Sequence, residues 1–171
     1  MTGRRAVTAA VVVLAATATL AAGPAPAGAD ATKLHKTKAE ASGIIRVNLN
    51  TGELTSVART KITHIGKGWL TTRSHESIPI GDDQWYSGSA TVVTDDGDLL
   101  SGTFTSLVSP RVNGVYPAHF EHTITGGTGK FTGATGVIIS ANTGSPFEFP
   151  TAESPFLVLA LESAGSGWIR Y

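Results

Sequence analysis

The chain has 171 residues, equal numbers of acidic and basic residues, and no cysteine. Without cysteine there can be no disulfide bond, thiolate metal site, cysteine nucleophile or lipidated-cysteine anchor. No polybasic run is present, which argues against nucleic acid and anionic lipid as partners.

Residues 1–29 have the layout of a secretory signal peptide. Two arginines precede an uncharged apolar stretch from Ala6 to Ala22, and prolines and the small triplet 27–29 follow it. The stretch is shorter than the ~20 residues that a membrane-spanning helix needs. We expect cleavage after Ala29 by the general export route, because Ala6 and Val7 after the arginine pair add little to a twin-arginine interpretation. The product would be a secreted or wall-associated protein without a membrane anchor.

The next segment, residues 30–41, carries lysines among small residues and has neither strand nor helix periodicity. We expect it to be a flexible leader. The folded domain is then expected at 42–171, a length that can bury a core without metal or disulfide bonds.

From Ser42 onward, turn signals alternate with runs rich in Val, Ile, Thr and aromatic residues, and no run has helical periodicity. This pattern predicts antiparallel hairpins. Turn signals late in the chain include 142–144 and 165–167. The predicted strands are 43–49, 54–65, 69–76, 85–94, 99–108, 115–125, 131–141, 156–162 and 168–171.

A regular meander of these strands would leave two exposed edges unless the sheet closed on itself. We therefore expect an all-β fold in the form of a small closed barrel, with a sandwich as the alternative.

The predicted strand from Phe156 to Leu161 breaks the usual alternation, because both of its faces would be apolar. One face can line the barrel interior, and the other needs a cover. A second subunit in a homo-oligomer would provide one, and a flap formed by residues 146–155 would provide another. Both interpretations stay open.

The segment ITGGTGKFTGATG, Ile124 to Gly136, is rich in glycine. A phosphate-binding loop would need Ser or Thr directly after Gly129-Lys130, where Phe131 stands. A dinucleotide fingerprint would need one residue fewer between glycines and a helix downstream. Calcium-binding repeats would need acidic residues, which this segment lacks. A structural turn explains the glycines better than a ligand loop does.

Each glycine of this segment has a steric role in the structural interpretation. The first three supply positive φ in a tight turn, and the last two suit a bent strand or a close backbone approach. We expect Phe131 to plug one end of the core. The turn glycines are Gly126, Gly127 and Gly129, and the strand glycines are Gly133 and Gly136.

The same segment resembles the hairpin signature of the allene oxide cyclase and dirigent-type barrels, including their secreted bacterial relatives. Asp96 to Phe104 resembles the preceding hairpin of that bacterial group, and His64 to Gly68 resembles an early turn. The three segments occur in the family's order, over about residue 43 to the C-terminus. The resemblance implies an eight-stranded antiparallel closed β-barrel of the calycin type, often oligomeric, with a mostly apolar pocket in its lumen.

The resemblance also implies chemistry without a cofactor. The plant enzymes cyclise an unsaturated fatty-acid epoxide, and dirigent proteins steer a radical or quinone-methide coupling, both relying on pocket shape and desolvation. No residue of this chain matches the catalytic residues of the plant enzymes, so none is assigned from the resemblance.

The cluster His119-Phe120-Glu121-His122 could indicate a metal site. In a strand, however, His119 and His122 point to opposite faces and cannot share a metal ion. Other ligands would have to come from distant strands, and no metal is expected. We expect Phe120 to pack inward and His122 to lie near the barrel mouth.

Closing the barrel would bring aromatic side chains from different strands into one lumen. They would either line a cavity for a small apolar ligand or fill the interior as a dry core, and both interpretations stay open. If a carboxylate faces the lumen, Glu121 and Glu76 are the candidates for proton transfer, because burial raises the pKa of a carboxyl group. The candidate ligand-binding residues are Trp69, Trp85, Tyr86, Phe104, Phe120 and His122.

Two functions are compatible with these patterns. The first is a secreted, cofactor-free barrel that binds a small apolar molecule and guides its cyclisation or coupling. The second is a non-catalytic extracellular or envelope protein whose filled barrel acts through its outer surface. A buried acid or base beside an open cavity would favour the first, and a solidly packed lumen would exclude it.

Overall fold

The computed structural model describes residues 33–171, and the expected signal peptide lies outside these residues. The described part consists of eight strands and one short 3-10 helix, Gly129–Phe131, between the sixth and seventh strands. The strands are β1 (Leu34–Asn48), β2 (Leu54–Ile62), β3 (Gly66–Ile80), β4 (Asp83–Thr94), β5 (Leu99–Val108), β6 (Tyr116–Gly127), β7 (Thr135–Glu148) and β8 (Phe156–Arg170).

The strands form one closed antiparallel barrel in chain order. β1 closes the ring by pairing with β8 along its whole length, from Leu34 opposite Arg170 to Asn48 opposite Phe156. Every strand therefore has two neighbours, and no sheet edge is left open. The predicted closed eight-stranded barrel is confirmed, and the sandwich alternative is wrong.

Alternating burial along each strand separates the lumen from the outer surface. In β2, Leu54, Ala58 and Ile62 are buried in the interior, whereas Val57 between them is exposed. Successive side chains of a strand point to opposite faces, so this two-residue period fixes which residues can line the lumen.

β1 begins at Leu34, so the expected leader at 30–41 is wrong from that residue onward. Thr37, Ala39 and Ala41 face inward and alternate with exposed charged residues. These inward side chains are small, so the strand lacks the bulky apolar alternation by which strands are recognised in a sequence. The neighbouring part of β8 is also small on its inward face, with Gly165 opposite Ala39.

β8 is continuous, so the predicted turn at 165–167 is wrong. Gly165 lies where the backbone of β7 comes close, and a Cβ atom there would be 2.6 Å from the carbonyl oxygen of Ile139. Glycine is needed at this position for a close approach and not for a chain reversal. The predicted turn at 142–144 is also wrong, because these residues lie inside β7.

The glycine segment forms the connection between β6 and β7, as the structural interpretation expected. Gly129 and Gly133 have φ values of 55° and 74°, which L-residues with side chains rarely adopt. Gly126 and Gly127 end β6 without positive φ, so that part of the prediction is wrong. Gly133 precedes β7 and is not within a strand, as had been expected.

Contacts with the β4–β5 turn hold this connection in place. The N–H of Leu99 donates to the hydroxyl of Thr128 at 2.9 Å, and the Lys130 ammonium lies 3.1 Å from the Asp96 carboxylate. Phe131 is completely buried, which confirms its expected role as a plug for one end of the core. We call this end the plugged end, and we call the opposite end, where the chain turns after β1, β3, β5 and β7, the mouth end.

The interior contains two clusters of buried apolar residues. The first cluster includes Leu54, Tyr86, Phe104, Phe120 and Leu159, and the second includes Ile62, Leu100, Phe131, Ile138 and Ile169. The second cluster fills the plugged end around Phe131, and the first extends toward the mouth end. Among residues 33–171, no helix is long and apolar enough to cross a membrane.

Candidate ligand-binding cavity in the barrel lumen

The mouth end of the lumen holds a cavity of about 420 Å³. Small-molecule pockets in proteins typically measure about 300–1,000 Å³, so this volume suits a small ligand. Inward side chains of strands on opposite sides of the barrel form a largely apolar wall. These residues include Val47, Leu54, Ala118, Phe120, Leu157 and Leu159.

Two loops frame the mouth of this cavity. The β5–β6 loop contributes Pro110, and the β7–β8 loop contributes Phe149 and Pro150. The guanidinium of Arg111 lies 5.8 Å from the centre of the Phe149 ring, which joins the two loops by a cation–π contact. The loops thus border the route by which a molecule would reach the lumen.

The predicted flap at 146–155 borders the lumen with Phe149 and Pro150, which corrects the expectation that it covers the outer face of β8. The outer face is covered at Phe156 by Arg46, whose guanidinium lies 3.4 Å from the ring centre. Farther along β8, Ala160 remains exposed.

Three aromatic side chains stack inside the barrel beside the cavity. The ring of Phe120 lies 5.6 Å from Phe104 and 5.8 Å from His122, measured between ring centres. Phe120 lines the 420 Å³ cavity, and His122 lines a second, smaller cavity of about 60 Å³. The stack therefore lies between the two cavities and forms the floor of the larger one.

His122 is an uncharged imidazole inside this stack at neutral pH. Burial lowers the pKa of His122 from 6.5 to about 4, because a charged ring would lose its hydration there. Burial is the cause of this shift, without a contribution from a neighbouring charge or hydrogen bond. His122 thus lies deeper in the lumen than the expected position near the mouth.

Tyr86 places a phenol in the wall of the larger cavity. Burial raises the pKa of Tyr86, and a smaller opposing effect comes from the hydroxyl of Ser77. The phenol therefore stays protonated over a wider pH range than an exposed tyrosine, and it remains available as a hydrogen-bond donor.

Asn142 is the buried polar residue whose bonding is incomplete at the cavity. Its residue exposure is 6%, it lines the larger cavity, and its Oδ1 atom has no hydrogen-bond partner among the described residues. The hydroxyl oxygens of Ser106 and Ser140 are likewise unpaired, but neither serine lines that cavity. A buried acceptor without a partner costs about 1–3 kcal/mol.

Four of the predicted ligand-binding residues face the lumen. Tyr86, Phe104 and Phe120 are buried in the first cluster, and His122 lies beside them. Their inward placement follows the strand alternation that the sequence shows. The lumen is neither a dry core nor one open cavity, because the plugged end keeps only the cavity of about 60 Å³ and the mouth end holds the cavity of about 420 Å³.

The other predicted site residues lie outside the lumen, so those predictions are wrong. Trp69 is 51% exposed on β3, and Trp85 lies on the outer face of β4 next to the inward Tyr86. Glu121 and Glu76 are both exposed and cannot act as lumen carboxylates. Glu121 is outward because it alternates with Phe120, and Glu76 follows a register shift in β3 that cannot be read from the sequence.

The prediction did not include five polar residues of the cavity, which are Asp82, Gln84, Ser109, Tyr116 and Asn142. Asn142 belongs to an Asn-Thr-Gly triplet that reads as a turn, although the alternation of buried Ile138 and Ser140 would have placed it inward. Asp82 lies in the β3–β4 turn, where aspartate has an ordinary structural use.

Within residues 33–171, no group of three or more His, Asp or Glu side chains could hold a metal ion. His119 is exposed and His122 lies inside, so the two point to opposite faces as predicted.

Comparisons with known proteins give this chain no relative from which residue roles could be transferred: no protein-family model, curated protein or solved structure matches it. The roles of the cavity residues therefore follow from their geometry and chemistry.

Proposed function

We propose that the protein binds a small apolar molecule in the cavity at the mouth end. The observation that carries this proposal is the cavity itself, about 420 Å³ in volume, with a largely apolar wall. Burial of apolar ligand surface would drive binding, and the few polar groups would orient the ligand.

A cofactor-free cyclisation or coupling of the bound molecule is the reaction that we propose for this site. The resemblance to allene oxide cyclase and dirigent-type barrels supports it, and so does a lumen shaped by aromatic side chains. Glu121 and Glu76 take no part, because both lie on the outer surface. The cavity would act mainly by holding the ligand in a reactive conformation away from water.

We also propose that the protein works outside the cytoplasm after removal of residues 1–29. The mature chain would then begin at Asp30. N-terminal sequencing of protein from the culture medium tests this, and a chain that keeps its first residues and stays inside the cell would contradict it.

Ligand binding can be tested by filling the cavity. Ala118 lines it, so Ala118→Leu should weaken the binding of the neutral fluorescent probe N-phenyl-1-naphthylamine about tenfold or more. Ala141→Leu adds the same volume at an exposed position of β7 and should leave the affinity unchanged. Fluorescence titration measures both affinities, and thermal melting checks that both variants are folded. Equal binding by the two variants would contradict a site in this cavity.

The natural ligand can be sought in protein purified from its own culture medium. Native mass spectrometry and organic extraction should reveal an apolar molecule that travels with the chain. If nothing travels with it and no apolar probe binds, the cavity is not a binding site.

The outer surface favours a second candidate function, a non-catalytic extracellular or envelope protein. All three tryptophans face outward on β3, β4 and β8, and Trp69 and Trp168 are 51% and 40% exposed. Exposed tryptophans are typical of contact surfaces. Quenching of tryptophan fluorescence by purified cell-wall material, and its reduction in Trp69→Ser, would support this function. An unchanged emission spectrum would contradict it.

A further inference from the structure

The floor of the mouth-end cavity indicates how long a ligand the site can take, an inference that rests on the proposed binding function. Strand β6 runs past both cavities from the mouth end inward. Its inward residues Tyr116, Ala118 and Phe120 line the mouth-end cavity. The next two inward residues, His122 and Ile124, line the cavity of about 60 Å³, which we call the inner cavity. The boundary between the cavities therefore falls between Phe120 and His122.

The neighbouring strands have small inward side chains at this boundary. Ser106 of β5 and Ser140 of β7 lie opposite Phe120 on its two sides. Both serines are buried, and neither lines the mouth-end cavity or the inner cavity. Among these three adjacent strands, Phe120 is therefore the bulky side chain at the level where the cavities part.

A second aromatic ring supports Phe120. Phe104 is 1% exposed, and its ring centre lies 5.6 Å from that of Phe120. Phe104 lines neither cavity, so a molecule that enters from the mouth end meets Phe120 first. Packed aromatic rings inside a protein leave no path for a chain of ligand atoms.

The inner cavity could hold the end of an apolar chain if this floor were open. Ile62, Leu70, Ala90 and Ile138 are among its lining residues. Its volume of about 60 Å³ gives room for about two methylene groups, at roughly 30 Å³ each, close to the volume of a water molecule in the liquid. Removal of the Phe120 ring would add the space of that ring and join the two cavities.

We propose that Phe120 is the specificity-determining residue that limits the depth of the site, so that the site takes compact apolar molecules and not long-chain lipids. By the same volume per methylene group, the cavity of about 420 Å³ holds a saturated chain of at most about fourteen carbons. The end of a longer chain would stay outside the mouth, where it gains no burial.

The depth limit can be measured with n-alkyl maltosides, whose chains can enter while the uncharged sugar stays outside. Octyl to hexadecyl maltoside, each below the concentration at which it forms micelles, compete with N-phenyl-1-naphthylamine for the protein. Each buried methylene group should raise the affinity about fourfold. Hexadecyl maltoside should bind no more tightly than tetradecyl maltoside, because the chain has reached Phe120. A further gain from tetradecyl to hexadecyl would overturn the depth limit.

Variants then locate the floor. Phe120→Ala should let hexadecyl maltoside bind about tenfold more tightly than tetradecyl maltoside, because two more methylene groups become buried. Leu157→Ala also removes a bulky side chain that lines the cavity, but near the start of β8 at the mouth end. It should weaken all chains alike and leave the limit unchanged. Phe120→Leu is a milder change, and it should move the limit in the same direction if Phe120→Ala does not fold.

The imidazole of His122 gives a readout that does not depend on affinity, because it lies just beyond the floor. In nuclear magnetic resonance spectra, hexadecyl maltoside should shift the ring signals of His122 in Phe120→Ala. The same compound should leave these signals in place in the unaltered protein. A shift of equal size in both proteins would show that the chain passes Phe120 without hindrance.

The outcomes separate this inference from the proposed function. If the probe binds and both Phe120 variants keep the limit of the unaltered protein, Phe120 is not the floor, and the binding site stands. If Leu157→Ala moves the limit as far as Phe120→Ala does, the depth is not set at Phe120. If neither the probe nor any maltoside binds, the proposed function fails, and this inference fails with it.

Discussion

At the scale of single residues, the lumen is distinguished by polar groups that lack partners. His122 is held uncharged by burial, and Asn142 keeps an unpaired oxygen at the cavity wall. Strand alternation was enough to separate His122 from His119 in the sequence. It failed for Asn142, because an Asn-Thr-Gly triplet is also a common turn sequence. At Asn142 the local composition predicts a turn and the alternation of buried residues predicts a strand. The pairing of β7 with β6 and β8 makes it a strand.

The lowered pKa of His122 should make stability depend on pH. An unfolded histidine has a pKa near 6.5, whereas burial lowers that of folded His122 to about 4. The contribution of the neutral ring is complete above about pH 6.5 and is lost as the pH falls toward 4, since the unfolded chain takes up the proton first. Between pH 7 and 4.5 the loss should reach about 2 kcal/mol, measurable by urea unfolding.

His122→Phe should abolish that part of the pH dependence, because the new side chain cannot take up a proton. His119→Gln replaces the exposed histidine of the same strand and should behave like the unaltered protein. A full pH dependence in His122→Phe would show that another group is responsible.

At the scale of elements, glycines allow strands to approach each other and turns to form. Composition alone identified the β6–β7 connection, because several glycines lie close together there. Composition did not show whether a glycine is needed for a positive φ or for a close approach of two strands, because both require a residue without a Cβ atom. Gly165 and Gly167 therefore predict a turn in the sequence, although both lie inside β8.

Two adjacent glycines at the end of β6 should respond in opposite ways to alanine. A Cβ atom on Gly127 would clash with the carbonyl oxygen of Leu99 and would lie 2.7 Å from Cβ of the buried Phe131, whereas one on Gly126 would meet nothing closer than 3.8 Å. Gly127→Ala should lower the free energy of unfolding by about 1–3 kcal/mol, because the plug must move. Gly126→Ala should leave it unchanged or slightly raised, because neither glycine has positive φ. Denaturant unfolding of both variants measures this, and equal losses would contradict the assigned contacts.

At the scale of the whole molecule, the barrel was predictable because eight hairpin-connected strands need closure to avoid free edges. The full length of β1 and β8 was not predictable, since both strands have small inward residues over half of their length. The cavity was also unpredictable, because its volume depends on how side chains from opposite walls meet. Trp69 and Trp85 show the difficulty, since aromatic residues suit either face of a strand.

We propose that the protein self-associates through an exposed apolar area on the outer wall, formed by β1, β2 and the uncovered part of β8. Ile44 lies opposite Val57 on one side and Ala160 on the other, and Ile44 and Val57 are 48% and 51% exposed. Light scattering after size exclusion should give a mass above that of one chain. Ile44→Lys should reduce it to one chain, whereas Thr103→Lys on the distant β5 should not. A single-chain mass at all concentrations would contradict this proposal.

The pairing of β1 with β8 also bears on how the ring is completed during synthesis. β8 is synthesised after the other seven strands, so until then β1 has only β2 beside it. Near the edge that is still unpaired, β1 carries the outward charges of Lys36, Lys38 and Glu40. Charged side chains on an unpaired strand discourage association with other nascent chains. The charged outward residues of β1 thus protect its edge from association until β8 pairs with it.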